Sequence, residues 1–448
     1  MRVREFSRSL ATCAVATCLG FFELTQFAVT AESKSINAQA RSPSPISGEY
    51  FGLHIHHLDV PYKEGNSSWP FLAFGSWRLQ GAYVNWLDLE PQKGQWNFRR
   101  LDKYVEDASK HNVDLLLTLG KTPTWASARP GEPCDGCAAE PAEIEDWKNY
   151  IRTVVRRYKG RIKSYEVWNE PRFYELEGKS ANGEVGYYSG TAKKLVELTA
   201  VAKQVISEED PAAKLVSPSF VSGNLGIRRL EFYLDAGGAG KFDILGFHFY
   251  ADVPEKIPDM ARKLLAVKNK YGLSAVPIWN TESGFTYERQ DLSIAANTRT
   301  GSYLDVLPIR LGAAYLARSM ILGGSNSVER FYWFNWDGEP PHPTMGIASG
   351  RGRYATPMTL AYRKVRQWLL GSVVESCDTG RQKIWRCKIR TANDEAAWIV
   401  WSEHASVATD LPRALMTSRA DPLLGDQILT IPDATQFVIG PEPVMLLQ

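Results

Sequence analysis

The chain has 448 residues, of which 44% are hydrophobic and 23% are charged, and its formal net charge is +2. This hydrophobic content excludes a disordered or collagen-like chain and is sufficient for one large domain and one small one. A charge balance so close to neutral gives no case for nucleic-acid binding.

The first 31 residues have the pattern of a secretion signal. Three arginines near the start precede an apolar run, Leu10 to Phe22, that is too short to span a bilayer comfortably. Small residues at 29–31 then offer a cleavage site. A retained anchor is the alternative, and Cys18 lies in a poor lipidation motif. We therefore expect a secreted or periplasmic protein without stable membrane insertion, whose residues 32–47 form a flexible lead-in.

Four cysteines remain after this signal, at positions 134, 137, 377 and 387. An even number of cysteines in an exported chain suggests disulfides, and we pair each cysteine with its near neighbour, Cys134 with Cys137 and Cys377 with Cys387. The first pair could also be a redox motif or half of a zinc site. It stands in a Pro- and Gly-rich loop without a second Cys or His pair nearby, which favours a structural bridge.

Strand-like and helix-like segments alternate between residues 48 and 371. The predicted strands are Tyr50–Ile55, Trp77–Leu79, Asp114–Leu119, Ile162–Glu170, Lys214–Ser217, Ile244–Tyr250, Pro277–Glu282 and Val328–Phe334. The predicted helices are Phe98–His111, Glu143–Tyr158, Gly186–Glu208, Arg228–Leu234, Pro258–Tyr271, Pro308–Leu322 and Met358–Leu370. Repeated βα units of this number predict a (β/α)8 TIM barrel over residues 48–371, with an open doubly wound sheet as the alternative.

The pattern changes after Gly371 to short alternating strands. They are Trp385–Arg390, Ala397–Trp401, Gln427–Ile431, Gln436–Ile439 and Pro443–Leu447. These segments predict a small antiparallel β-domain over residues 372–448. We expect it to pack on the barrel as a structural appendage.

Two predicted barrel strands end on a carboxylate. The stretch Ser164–Pro171 is β-branched and aromatic until Pro171 stops it, which leaves Asn169 and Glu170 at its tip. The stretch Pro277–Gly284 carries Glu282 in the same way. A lone glutamate at a strand end often serves a salt bridge. Two glutamates at the open end of one barrel suit hydrolysis of a glycosidic bond, in which one protonates the leaving oxygen and the other attacks the anomeric carbon.

The motif Trp168-Asn169-Glu170-Pro171, followed much later by Thr281-Glu282, resembles the clan of retaining (β/α)8 glycoside hydrolases. Within that clan it is most similar to family 39 and its bacterial endoglycosidases that cut exopolysaccharide, over roughly Gly48 to the C-terminus. Arg172 stands where the family motif usually has Asn. The resemblance implies that Glu170 is the acid/base, that Glu282 is the nucleophile and that Asn169 donates to the 2-hydroxyl of the sugar.

The predicted mechanism sets the electrostatics of this pair. A retaining enzyme should hold the two carboxyl groups about 5 Å apart. We expect the charge of Glu282 and enclosure to raise the pKa of Glu170, and hydrogen-bond donors to keep Glu282 ionised. Arg78, near the end of the second strand, could be one of those donors or could belong to an unconnected core ion pair.

Further binding residues are predicted on later strands. His248 and Tyr250 share a face, so Tyr250 could donate to Glu282 and His248 could reach a sugar hydroxyl, unless both belong to a packed aromatic layer. The resemblance implies that Trp336 forms an aromatic floor for the sugar. Trp125 and Trp86 are candidates for outer subsites, with a purely structural role as the alternative.

We predict neither a cofactor nor a metal. His54, His56 and His57 lie close together in sequence, but they have no carboxylate or cysteine at ligand spacing.

The predicted partner is an oligo- or polysaccharide. The leading function is an exported endo-acting retaining β-glycosidase; the alternatives are an exo-acting enzyme similar to a β-xylosidase and a carbohydrate-binding barrel without catalysis. The β-domain could likewise be a carbohydrate-binding module.

Overall fold

A computed structural model describes residues 44–58, 67–178, 187–289, 305–338, 343–380, 383–404, 406–409, 419–431 and 437–447. The predicted signal peptide and nearly all of the predicted lead-in lie outside the described residues. Everything below concerns the described part of the chain.

Eight parallel strands form the barrel. They are β1 Phe51–His54, β2 Ser76–Arg78, β3 Asp114–Leu119, β4 Ser164–Val167, β5 Lys214–Val216, β6 Leu245–His248, β7 Ile278–Ser283 and β8 Val328–Trp333. The order of neighbours is β5-β4-β3-β2-β1-β8-β7-β6. Parallel bridges from Val216 to Ile244 and from Phe220 to Phe247 join β5 to β6. The predicted barrel is therefore confirmed, and the open sheet is not formed.

Helices follow the strands and cover the outside of the barrel. Their bounds are α1 Trp86–Leu89, α2 Arg99–Lys110, α3 Ile144–Arg157, α4 Tyr174–Glu177, α5 Ala192–Glu209, α6 Gly223–Tyr233, α7 Ile257–Lys270, α8 Ile309–Ser325 and α9 Pro357–Leu369. Most bury one face, as α2 does with Leu101, Tyr104, Val105 and Ala108. Every residue from Gly312 to Gly323 in α8 is buried, because the C-terminal sheet contacts this helix as well.

The C-terminal region forms the predicted antiparallel sheet. Its strands are β9 Val373–Thr379, β10 Ile384–Arg390, β11 Ala396–Ser402, β12 Val407–Thr409, β13 Arg419–Pro422, β14 Leu429–Thr430, β15 Phe437–Ile439 and β16 Val444–Leu447. Six of them pair in the order β14-β13-β16-β11-β10-β9, and β12 pairs with β15. Strands β9, β12 and β13 were not predicted. In β9, most side chains after Val374 are polar and outward-facing and so leave no apolar alternation.

This sheet packs directly on the barrel. The Glu255 carboxylate, in the loop after β6, accepts a hydrogen bond from Trp401 Nε1 at 2.9 Å and pairs with the buried Arg318 of α8 at 3.2 Å. Asp421 of β13 accepts from Trp368 Nε1 of α9 at 2.7 Å. One continuous hydrophobic cluster includes residues of both parts.

Both predicted disulfides are formed, Cys134 with Cys137 and Cys377 with Cys387. Among the described residues, no helix combines the length and apolarity that a bilayer span would need.

Candidate active site

The carboxyl ends of β4 and β7 bring Glu170 and Glu282 to the same mouth of the barrel. Strand β4 ends at Val167, three residues before Glu170, whereas β7 includes Glu282. Trp168 and Glu170 both have positive φ, at 64° and 44°, in the left-handed region that side chains with a Cβ rarely adopt. The Glu170 amide donates to Ser219 O at 2.9 Å, which anchors this turn to the chain that follows β5.

The two carboxylates face each other at short range. One oxygen from each, together with a ring nitrogen of His248, lies in a group whose members are all within 4.8 Å of one another. Each glutamate is about 9% exposed, so both can be reached from the mouth. Carboxyl groups about 5–5.5 Å apart suit direct attack on the sugar, whereas inverting enzymes need about 6.5–9.5 Å to admit a water. The separation thus fits the retaining geometry.

Two hydrogen-bond donors hold the carboxylate of Glu282. Arg78 Nη1 donates to Oε2 at 2.8 Å, and the Tyr250 hydroxyl donates to Oε1 at 2.9 Å. Burial and the charge of Glu282 raise the pKa of Tyr250 well above its ordinary value, so the hydroxyl keeps its proton and remains a donor. The structure thus places Arg78 and Tyr250 where their predicted contacts with Glu282 require them.

Arg78 also serves a third carboxylate, which sequence reasoning missed. Glu166, in the middle of β4, is fully buried and accepts from Arg78 Nε and from Thr118 Oγ1, both at 2.8 Å, and from Ser219 Oγ. Arg78 therefore donates to Glu282, and the alternative of an unconnected core ion pair is not what forms, because the same guanidinium joins Glu282 to the buried Glu166. The alternation Ser164-Tyr165-Glu166-Val167, with polar residues on one face, was the available signal for Glu166.

Asn169 is oriented by the same arginine. Its Oδ1 accepts from Arg78 Nη2 at 2.7 Å. Because the amide oxygen is engaged, the Nδ2 group is left to act as the donor toward a ligand in the mouth. This orientation is the one that the predicted contact with a sugar hydroxyl requires.

The surroundings of Glu170 differ from the expectation. Its Oε1 lies 2.7 Å from His248 Nδ1, while Glu282 Oε1 lies 3.9 Å from the same nitrogen. Burial acts to raise the pKa of Glu170, but the hydrogen bond and charge of His248, with the charges of Arg172 and Arg78, hold it below its ordinary value. The predicted rise is wrong for the free protein. That prediction counted the charge of Glu282, which Arg78 compensates, and did not anticipate His248 as a partner.

His248 itself lies behind Glu170 instead of at the surface of the mouth. Its ring is fully buried, and its Nδ1 is engaged with the Glu170 carboxylate. The predicted contact with a sugar hydroxyl is therefore not available to this ring nitrogen. Sequence periodicity identified the shared face of His248 and Tyr250, but it could not tell which carboxylate each would meet.

Two of the three predicted aromatic subsites are wrong. Trp336 is fully buried, and its Nε1 donates to Ser68 O at 3.0 Å. Trp86 is also fully buried and stacks on Tyr150 of α3 with ring centroids 4.8 Å apart. Trp125 remains partly exposed, with Lys93 Nζ 5.3 Å from its ring centroid. A tryptophan after a strand gives the same sequence pattern whether it faces the core or the mouth.

The spacing of Glu170, His248 and Glu282 would by itself allow a metal ligand set. The donors around them fit a cation poorly, because the Arg78 guanidinium already occupies one oxygen of Glu282. His54 Nε2 bonds to Thr281 O at 3.0 Å, and the amides of His56 and His57 donate to Asp337 at 3.0 and 2.8 Å. These contacts engage the ring of His54 and the main chain of His56 and His57.

Comparison with known proteins points to one class. A model of glycosyl hydrolase family 10 matches residues 80–216, which is less than half of the chain. An endo-1,4-beta-xylanase A of Halalkalibacterium halodurans is 34% identical over 94 residues, which cover 18% of this chain and 24% of that relative. The chain thus matches much less than two thirds of this relative's length. Sequence and fold agree on the (β/α)8 glycoside hydrolases as the class to which the chain is similar.

Solved structures show the same fold. A family 39 glycoside hydrolase from Bacteroides cellulosilyticus WH2 superposes with a TM-score of 0.64 at 18% identity, covering 90% of this chain and 82% of that one. A monomeric beta-xylosidase from Caulobacter crescentus CB15 has a TM-score of 0.57 at 14% identity, with 90% and 97% covered. At these identities the likeness concerns the fold alone.

Proposed function

We propose that the protein is a retaining glycoside hydrolase that cleaves β-glycosidic bonds by double displacement. The observation that carries this proposal is the pair Glu170 and Glu282, with oxygens within 4.8 Å of each other and with opposite surroundings. Glu282, held by Arg78 and Tyr250, is suited by position to act as the nucleophile. Glu170, whose Oε1 lies 2.7 Å from His248 Nδ1, is placed to exchange a proton with the leaving oxygen.

In the first step, Glu282 forms a bond to the anomeric carbon while Glu170 gives its proton to the glycosidic oxygen of the departing sugar. In the second step, Glu170 takes a proton from water, whose oxygen attacks the anomeric carbon and breaks the ester to Glu282. Asn169 Nδ2 is placed to donate to a hydroxyl of the reacting sugar, an interaction that strengthens as positive charge develops on the ring.

For the substrate, we propose endo-action on a polysaccharide, with family 39 and a bacterial exopolysaccharide as the specific hypothesis. The relative named above is an endo-xylanase, which makes β-1,4-xylan the first polymer to test. Exo-action like that of a β-xylosidase is the alternative.

We further propose that residues 1–31 direct export, that the barrel domain spans residues 48–371 and that residues 372–448 form the β-domain. The two disulfides are compatible with an oxidising compartment.

The decisive experiment is azide rescue of Glu282→Ala. On activated aryl β-glycosides the variant should lose turnover, and added azide should restore it partly and give the glycosyl azide of inverted configuration, because the small anion enters the space of the missing carboxylate. The exposed Glu106 of α2 provides a matched control, since Glu106→Ala removes a carboxylate far from the mouth.

A fully active Glu282→Ala variant would end the assignment of the nucleophile. If the unmodified protein binds sugars but releases no aglycone from any aryl glycoside, the non-catalytic carbohydrate-binding barrel becomes the better interpretation.

A further inference from the structure

Lys121 lies at the mouth of the barrel, two residues after β3 ends. It helps to line a small cavity beside the motif that carries the acid, together with Gln80, Asn85, Trp168 and Asn169. Its φ of 55° places it in the left-handed region, which a lysine rarely adopts without a compensating role. Lys121 is therefore a neighbour of Asn169, the residue proposed to bind the reacting sugar.

No described carboxylate forms an ion pair with Lys121. Burial lowers the pKa of its ammonium group, and the opposing charge comes from Asp88, whose Oδ2 already accepts from the backbone and side-chain nitrogens of Asn85 at 2.9 and 3.0 Å. Other part-buried lysines are matched: Lys203 pairs with Asp243 at 2.6 Å, and Lys364 pairs with Asp421 at 2.8 Å. The charge of Lys121 is thus offset by Asp88 without an ion pair among the described residues, which leaves the ammonium able to pair with an anion on a ligand.

A second cation lies on the other side of the motif. The Arg172 guanidinium stacks on Tyr187, with Cζ 3.9 Å from the ring centroid, and its charge contributes to the low pKa of Glu170. Lys121 and Arg172 follow adjacent strands, β3 and β4, so a lysine and an arginine both stand in the loops next to Asn169. A lysine ammonium at this place attracts an anionic ligand more than a neutral one.

We propose that the polysaccharide bound here is acidic, and that Lys121 selects it by pairing with an anionic group, a uronate carboxylate or a sulfate, on a sugar beside the cleavage point. This inference rests on the proposed glycosidase function and names the substrate class of the same site. The ammonium of a lysine is a compact donor that suits either anion.

Binding to the full-length Glu282→Ala variant tests the inference separately from catalysis. Calorimetric titration would compare three ligands: glucuronate-substituted xylo-oligosaccharides, the same oligosaccharides after reduction of the carboxylate, and sulfated xylo-oligosaccharides. We expect reduction of the carboxylate to weaken binding about tenfold, the effect of one charge-assisted hydrogen bond, and high salt to narrow the difference. A stronger preference for the sulfated ligand would support the proposal and identify the anion as sulfate.

The same titrations in a Lys121→Met background should abolish the preference, and Lys121→Arg should retain most of it. Lys214→Met is the control, because Lys214 is exposed at the start of β5, at the opposite end of the barrel. Equal affinity for the acidic and reduced ligands, no binding of either anionic ligand, or a preference that survives Lys121→Met would overturn the inference. Residual hydrolysis by Glu282→Ala would count against the proposed mechanism and leave this comparison intact.

Discussion

Glu170 and Glu282 are the same residue type within one site, yet their neighbours differ. Glu282 has an arginine and a tyrosine as donors, whereas Glu170 has a histidine. Two carboxylates with different neighbours can take different roles in glycoside hydrolysis, one as the acid and one as the nucleophile. The residue-scale predictions follow from this difference.

Glu170→Gln should lose much more activity toward poor leaving groups than toward activated ones. A leaving group that departs without protonation no longer needs the proton of Glu170, so aryl glycosides of low phenol pKa should retain far more turnover than alkyl glycosides or polysaccharide. The measurement is kcat/KM across a leaving-group series. Equal losses over the series would remove the acid role from Glu170.

His248→Phe should move the basic limb of the kcat/KM–pH profile to higher pH. Glu170 must be protonated to act as the acid, and a pKa held below the ordinary value means that the proton is lost early as pH rises. Removing the histidine removes the hydrogen bond and charge that lower this pKa, so burial then dominates and raises it. An unchanged or lowered basic limb would show that His248 does not set the pKa of Glu170.

Strand ends and loop residues differ in how far sequence predicts them. All eight barrel strands were predicted because each buried run is short, apolar and bounded by Gly, Pro or a helix. Glu282, which belongs to β7, and Glu170, which follows three residues after the shorter-than-predicted β4, were found from the same pattern. The role of Glu166 and the partner of His248 could not be predicted, because they depend on which side chains meet across the barrel. The order of residues in a single sequence does not show such contacts.

At the scale of elements, the Cys377–Cys387 bond joins directly opposed positions of β9 and β10. Replacing both cysteines with serine should lower the free energy of unfolding by about 2–3 kcal/mol, because the bond closes a loop with a sequence separation of 10. The Cys134→Ser/Cys137→Ser pair is the matched control: its separation is 3, and the chain-entropy account predicts a smaller loss. Denaturant unfolding compares the two, and the reverse ranking would contradict this account.

At the scale of the whole molecule, the β-domain and the barrel share one hydrophobic cluster and the buried Arg318–Glu255 pair. Glu255→Ala should lower the free energy of unfolding by about 3–5 kcal/mol, because it leaves the buried Arg318 cation without its carboxylate. Arg318→Met in the Glu255→Ala background should recover most of the lost free energy of unfolding, because it removes the unpaired cation. Calorimetry should show a single transition for the barrel and the sheet together. Two separated transitions, or no effect of Glu255→Ala, would mean that the sheet is an independent module.

The sharing of Arg78 between Glu282 and Glu166 has a consequence for the proposed reaction cycle. Once Glu282 becomes an ester to the sugar, its negative charge disappears while the guanidinium stays fully buried. Glu166 then remains bonded to Arg78, so the covalent intermediate needs no anion from solvent to balance the guanidinium charge.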